Sequence, residues 1–335
     1  MRVPSDGPYA RPMDLVLRPL TRADIPAWAA LLAAVEVVEH TGEHVSATDL
    51  AEEMDNPEVT VGTDFVGAYD GPDLVGYFSV LPRGEAEGAY KVHVEGAVLP
   101  ARRGEGIGTA LVAAMLARGT AAAAERSPAL PARLSTTGLS TNAEQEDLLT
   151  GHGMSGERWN FVMRTALADL PAPQPVADGY EIRPYDESMG LAVLEAHNLA
   201  FDGSHPNFTP WTETTWKQWV TGSHTFRPAD SVVVVPAGSD QLVGYVTTHE
   251  FDAYFDATGR REAYVGKVGV LPEHRGRGLA GAMLGHCLAT YAAAGYDEAS
   301  LDVDSENPSG ALGVYRRCGF EVESRWTNYF LTVPV

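Results

Sequence analysis

The chain has 335 residues, 44% of them hydrophobic and 21% charged, which is typical of a globular protein with room for two domains. Its net charge of −21 argues against nucleic acid or an anionic membrane as a partner; it fits a cationic small substrate, or serves solubility alone. No apolar run approaches the ~20 residues that span a bilayer, and two cysteines provide neither a disulfide framework nor a metal cluster, so we expect a cytoplasmic protein without metal.

The first part of the chain predicts a mixed α/β unit. Residues 15–36 indicate a strand and then a helix, with Thr21 or Asp24 as its N-cap. Acidic residues 49–58 predict an exposed helix, and residues 64–81 predict a hairpin around an Asp-Gly-Pro turn. Residues 90–124 then follow the order strand, proline, Arg/Gly turn and amphipathic helix.

Residues 168–179 form the clearest linker, because three prolines fall within five positions. After the linker the same elements recur at nearly constant offsets of 165, 168 and 172 residues, shown by the pairs Arg18 and Arg183, Val75 and Val243, and Arg103 and Arg275. Such offsets in the same order indicate a tandem duplication. We therefore predict one domain at residues 14–167 and a second at residues 180–335.

The most informative stretch is residues 264–290. A strand-like run from Val265 to Leu271 ends at Pro272, a Gly/Arg turn follows, and apolar residues then recur at helical spacing. A strand, a glycine-bearing turn and a helix N-terminus can bind an anion, since unpaired N–H groups and the positive end of the helix dipole point at one spot. An ordinary turn with a solvated basic tip is the alternative.

The motif Arg275-x-x-Gly278-x-Ala280, after a strand ending Val-x-Val-x-Pro, resembles the acyl-CoA signature of the GNAT N-acetyltransferase superfamily. Residues 301–322, which contain Tyr-x-x-x-Gly-Phe, resemble the last segment of that family. The resemblance covers almost the whole chain twice. It implies an α/β fold of two tandem GNAT-like domains, each a mixed, partly antiparallel central sheet flanked by helices. It also implies transfer of an acetyl group from acetyl-CoA to the primary amine of a small molecule.

The resemblance assigns coenzyme contacts in the second half. Backbone groups of Val268 and Val270, with Gly269 between them, would meet the pantetheine arm and the thioester carbonyl. The pyrophosphate would lie against the N–H groups of the turn and the helix start, namely Arg275, Gly276, Arg277, Gly278, Leu279 and Ala280. Asn307 would bind the coenzyme, or only cap the following helix.

The same resemblance places Tyr315 at the position of the family's general acid, although a core aromatic residue is the alternative. A phenol with an ordinary pKa near ~10 can protonate a thiolate leaving group. The usual position of the general base holds Tyr264. The nearest carboxylate is Glu262, on the same strand face, which could act directly or through water, or could be a surface residue at a hairpin end.

The first half retains the Gly/Arg turn and helix start that can bind an anion, but it lacks the residues expected for catalysis. Its coenzyme contacts by resemblance are Val98, Arg103, Gly104, Gly106, Ile107 and Gly108. Aligning residues 153–154 with residues 319–320 places Leu149 opposite Tyr315, and leucine cannot donate a proton. Glu105 replaces Arg277, so a negative charge is expected near the pyrophosphate. We expect this half to be catalytically degenerate, either still binding CoA or only structural.

Two further segments of the sequence lead to predictions. Residues 197–220 are rich in aromatic residues, which either pack on the sheet or face the acceptor, as helices at this place do in GNAT enzymes. Residues 252–266 predict a hairpin turn that leads into the central strand. A non-catalytic acyl-CoA-binding or regulatory module is the competing functional class. The amine, the acyl chain length and the oligomeric state stay open.

Overall fold

The structure is a computed structural model and describes residues 15–202, 208–305 and 310–335. Its strands are β1 (Leu15–Pro19), β2 (Phe65–Asp70), β3 (Asp73–Ala86), β4 (Ala89–Val98), β5 (Ala132–Leu139), β6 (Ser155–Ala166), β7 (Tyr180–Pro184), β8 (Val232–Pro236), β9 (Gly244–His249), β10 (Glu262–Val270), β11 (Glu298–Asp304) and β12 (Glu321–Val333). Its α-helices are α1 (Ile25–Glu39), α2 (Ala47–Met54), α3 (Val61–Asp64), α4 (Ile107–Arg126), α5 (Ala143–Gly151), α6 (Gly190–Phe201), α7 (Glu213–Trp216), α8 (Asp252–Thr258), α9 (Leu279–Ala293) and α10 (Ala311–Arg317).

All the strands within the described residues belong to one sheet of 12 strands, in the order β1-β2-β3-β4-β5-β12-β6-β11-β10-β9-β8-β7. Only β4 with β5 and β10 with β11 pair in parallel among the described strands. Reading the order from either end gives the same succession of elements, so the two halves are related as the duplication predicts. The predicted α/β class with mixed, helix-flanked sheets is confirmed.

The two halves exchange their last strands. β6 belongs to the first half in sequence but pairs with β11 of the second half, and β12 pairs with β5 of the first half. At the centre of the sheet β6 and β12 pair with each other. The linker at residues 168–179 connects β6 to β7, and the sheet continues across the predicted domain boundary.

The hydrophobic cores reflect this exchange. Met163 and Leu167, from the end of the first half, lie in the core built around α9 and the strands of the second half. Tyr329 of β12 lies in the core formed by α4 and the strands of the first half. Burial of apolar surface therefore stabilises each half through residues of the other.

Helix α4 is the one described helix that is long and apolar enough to cross a membrane. It packs instead on β3 and β4, and residues such as Leu111 and Met115 are buried in the core of the first half. It is therefore a core helix of the fold.

One local prediction is wrong, and another is right only in part. Residues 252–258 form helix α8, where the sequence suggested a hairpin turn. Helix α2 exists as predicted but is not simply exposed, since Leu50 and Met54 on its inner face are buried. The hairpin of β2 and β3 and the strand–helix order at residues 15–39 are as expected, with Thr21 and Asp24 forming a capping box.

Candidate functional site

A cavity of about 730 Å³ opens where β10 and β11 separate. The two strands pair only from Glu262 to Tyr264 of β10, opposite residues 298–300. Beyond that point β10 keeps its pairing with β9 but leaves β11, so one edge of β10 faces the cavity. Val268, Gly269 and Val270 line it, as the sequence predicts for the residues that face the pantetheine arm.

The turn before α9 forms one end of this cavity. Gly276 and Gly278 adopt left-handed φ values of 74° and 75°, and a Cβ on either would meet nothing within 4 Å. In the part of the chain that the structure describes, the amides of residues 276–280 donate no backbone hydrogen bond; the first bond across this turn runs from Ala282 N–H to the Gly278 carbonyl. Free amides at a helix start that an anion can approach are a suitable pyrophosphate site.

The two arginines of the turn do not act as one positive cluster. The Arg275 guanidinium donates from Nε to the Val270 carbonyl at 3.1 Å, so this side chain braces the end of β10. Arg277 is exposed and is absent from the described lining of the cavity, whereas Gly276, Gly278, Leu279 and Ala280 line it. Asn307 lies outside the described residues, so its role stays a prediction.

Tyr315 on α10 lines the same cavity. Burial raises the pKa of this phenol to about 12. Its hydroxyl makes no hydrogen bond with any residue of the described ranges, and its ring packs edge-on against Phe320, 6.2 Å between ring centroids. A protonated hydroxyl with no internal acceptor can donate to a group that enters the cavity.

A second cavity, of about 1010 Å³, lies between the two halves. Tyr264, Gly266 and Lys267 of β10 form its floor, and Gly266, Lys267, Phe201 and Phe330 also line the first cavity. Both cavities therefore meet at the bulge that β10 makes between Val265 and Lys267. The first half contributes side chains such as Glu53, Arg83 and His93 to this second cavity.

The aromatic segment after α6 is divided between the core of the second half and the cavity between the halves. Trp216 is 2% exposed and packs in the core of the second half. Phe208, Trp211 and Trp219 line the cavity between the halves. The ammonium of Lys267 lies over the Trp211 ring, 5.3 Å from its centroid, which is a cation–π contact at the floor of the cavity.

Glu262 is not the surface residue that the sequence allowed. It is 7% exposed and forms an ion pair with Arg164 of β6, and it is missing from the described lining of both cavities. Sequence reasoning missed a different carboxylate. Asp302 of β11 lines the cavity at the separation of β10 and β11 and accepts a hydrogen bond from the Tyr264 hydroxyl at 2.8 Å.

The first half has a matching cleft of about 550 Å³, lined by Val98, Arg103, Gly104, Gly106 and Gly108. Ile107 is 1% exposed and belongs to the core instead. Leu149 lines this cleft, at the position that Tyr315 has in the second half. The carboxylate of Glu105 accepts a hydrogen bond from Arg102 Nε at 2.9 Å. Glu105 therefore pairs with a cation and is not among the described residues that line the cleft.

Known proteins that are similar to this chain are acetyltransferases. The acetyltransferase (GNAT) family matches residues 30–135 and residues 191–320. Mycothiol acetyltransferase of Thermobispora bispora is 32% identical over 273 residues, which are 79% of this chain and 82% of that protein. The same enzyme of Tsukamurella paurometabola is 31% identical, over 77% of this chain and 85% of that protein. The tandem arrangement inferred from the sequence is likewise similar to that of mycothiol synthase.

Solved structures show the same fold. A GCN5-related N-acetyltransferase from Sphaerobacter thermophilus superposes with a TM-score of 0.76 and 26% identity, over 96% of both chains. A tandem GNAT protein from the clavulanic acid biosynthesis pathway superposes with a TM-score of 0.68 and 19% identity, over 95% of this chain and 98% of that one. Both similarities extend over the two halves together.

Proposed function

Since this chain belongs to the GNAT acetyltransferase family, whose members use acetyl-CoA as acyl donor, we propose that its second half acetylates the primary amine of a small molecule. Acetyl-CoA would occupy the cavity at the separation of β10 and β11. The acceptor would occupy the cavity between the halves. The two would meet at the bulge of β10, where Gly266 and Lys267 line both spaces.

The observation that carries the assignment to the second half is the contrast between Tyr315 and Leu149. Both side chains line the cleft of their own half, but only the tyrosine can protonate a departing thiolate. A module that merely holds acyl-CoA would gain nothing from an acid at this place. The first half would keep a cleft able to hold CoA and would act as a structural or binding partner.

This chain supplies a group for each remaining step of the proposed acetyl transfer. The amides of residues 276–280 would hold the pyrophosphate, and the free edge of β10 at Val268 and Val270 would align the pantetheine arm and polarise the thioester carbonyl. The thioester supplies the activated acetyl group. Tyr315 would donate its proton to the sulfur as the carbon–sulfur bond breaks.

The acceptor is proposed from the relatives and from the cavity. Relatives named mycothiol acetyltransferase suggest a mycothiol precursor, and an amine-bearing antibiotic is the second candidate. A lining that combines aromatic rings with many polar and charged side chains suits an amine on a bulky, polar scaffold.

The test is release of CoA thiol from acetyl-CoA by the full chain, with a panel of small amines that includes a mycothiol precursor. We expect release above the hydrolysis background with at least one amine, together with an acetylated product by mass spectrometry. Tight acetyl-CoA binding without acceptor-dependent release for any amine would favour the non-catalytic alternative.

A further inference from the structure

The carboxylates on the two strands that form the coenzyme cavity differ in their partners. Glu262 of β10 pairs with Arg164, Glu298 of β11 pairs with Arg164 and Arg260, and Asp304 pairs with Arg158. Asp302 forms no ion pair within residues 15–202, 208–305 and 310–335. A carboxylate engaged with arginine is a poor proton acceptor, because protonation would break the pair.

Asp302 also lies at the separation of the two strands, between the two cavities. It lies two residues beyond Ser300, the last β11 residue that pairs with β10, so its side chain occupies the point where the strands separate. It lines the coenzyme cavity and is exposed to it. The hydroxyl of Tyr264, which lines the acceptor cavity, donates to Asp302 Oδ2 at 2.8 Å. The hydrogen-bonded pair therefore connects the two cavities.

We propose that Asp302 accepts the proton of the attacking amine, and that Tyr264 positions it. This inference depends on the proposed acetyltransferase function. The acceptor enters as an ammonium ion, and one of its N–H protons moves to Asp302, which frees the nitrogen lone pair to form the C–N bond to the acetyl carbon. A second N–H proton then leaves the nitrogen to solvent. The carbon–sulfur bond breaks, and the thiolate takes the Tyr315 proton. Solvent exchange afterwards returns Asp302 and Tyr315 to their starting protonation states.

The surroundings of Asp302 suit this role. Burial raises the pKa of its carboxyl group, while the Tyr264 hydrogen bond and the nearby Lys267 ammonium lower it. Glu43 of the first half also interacts with it electrostatically. Two histidines that line the acceptor cavity, His93 and His249, have pKa values that burial lowers to about 3, so their imidazoles accept a proton poorly near neutral pH.

The test compares Asp302→Asn with the wild type across pH. The amide is nearly isosteric and its oxygen can still accept from Tyr264, so we expect an unchanged fold and unchanged acetyl-CoA affinity. Turnover should fall by about 10²–10⁴-fold. The deficit should shrink as the pH rises toward the pKa of the acceptor amine, because the amine then arrives already deprotonated.

Two further variants separate catalysis from structure. Tyr264→Phe should cost less turnover than Asp302→Asn and should move the acidic limb of the pH profile to higher pH, because the carboxylate loses the bond that lowers its pKa. Asp256→Asn removes one exposed carboxylate of α8 and should match the wild type.

Three outcomes decide the inference. An active wild type with an equally active Asp302→Asn variant would overturn it. So would a deficit that is the same at every pH, which is what a structural role produces. Inactivity of the wild type with all amines would instead refute the proposed function.

Discussion

Arg164, on the last strand of the first half, forms an ion pair with Glu262, on the central strand of the second half. The same guanidinium reaches Glu298 at 3.3 Å and Glu323 at 2.9 Å. One arginine thus pairs with three carboxylates, because the exchange of β6 brings it into the second half's sheet. The contact ties Glu262 into the structure of the sheet and leaves Asp302 as the accessible carboxylate at the strand separation.

Arg164→Met should lower the free energy of unfolding by about 3–5 kcal/mol, since it leaves the buried carboxylate of Glu262 without its cation. Arg22→Met, which breaks the exposed pair with Asp55, should cost less than about 1 kcal/mol. Urea denaturation measures both. A loss for Arg164→Met no larger than for Arg22→Met would contradict the role of this cluster.

The stability deficit of Arg164→Met should also depend on pH. Burial raises the pKa of Glu262, and Arg164 normally opposes that rise. Without the arginine the pKa in the folded state lies still higher above the unfolded value. The carboxyl group then destabilises the fold as the pH rises through its folded pKa, so the deficit should be largest at neutral pH and smaller near pH 5.

The strand exchange can be tested with an engineered disulfide. Arg133 of β5 and Thr332 of β12 are register partners, and their side chains are hydrogen-bonded at 2.8 Å. With both changed to cysteine and a protease site inserted after Ala168, oxidation followed by cleavage should leave one band on a non-reducing gel. Two bands, with both cysteines still free, would mean that β12 does not lie beside β5.

Tyr315→Phe should lower turnover by about 10²–10⁴-fold without weakening acetyl-CoA binding, because the hydroxyl acts on the leaving group. Its pKa of about 12 keeps it protonated across the usual assay range, so it should cause no loss of activity between pH 7 and about pH 10. Stopped assays measure turnover across this pH range, and calorimetry measures acetyl-CoA affinity. Wild-type turnover in the variant would make Tyr315 a packing residue.

Tyr296→Phe is the matched control. Its hydroxyl shares its one proton between Asp230 Oδ2 at 2.9 Å and Glu250 Oε2 at 3.0 Å, and it does not line either described cavity of the second half. This variant should lose about 1–3 kcal/mol of stability and keep its turnover. The opposite pattern in the two tyrosine variants would contradict the assignment of the acid.

The repeat could be found in the sequence because its elements recur at nearly constant offsets. The anion-binding turn at Gly278 and the acid candidate Tyr315 could be found because each lies in a motif of fixed local spacing. The exchange of β6 and β12 could not, since equivalent strands of a duplicated chain carry the same local pattern and fit the same place. For the same reason nothing near Glu262 revealed its partner Arg164, which lies 98 residues away. β11 carries three carboxylates, at Glu298, Asp302 and Asp304, so its sequence alone does not single out Asp302.

The seven-residue helix α8 was missed on different grounds. It is short, and its one buried side chain, Tyr254, gives no helical periodicity to detect. Its place in the fold depends on the contact of the Tyr254 ring with Arg164, whose guanidinium lies 5.1 Å from the ring centroid. Tertiary packing decides such segments.

The central claim is that the second half carries the chemistry, and paired glycine substitutions test it most directly. Gly106 and Gly278 have similar left-handed φ values of 84° and 75°, and a Cβ at either meets nothing within 4 Å, so an aspartate should strain both turns equally. Gly278→Asp also places a negative charge against the pyrophosphate of the reacting acetyl-CoA.

The measurement is acetyl-CoA-dependent turnover of the two full-length variants under identical conditions. We predict that Gly278→Asp abolishes activity and that Gly106→Asp leaves it within a few-fold of the wild type. Equal losses from both changes, or loss from Gly106→Asp alone, would contradict the assignment of the active half.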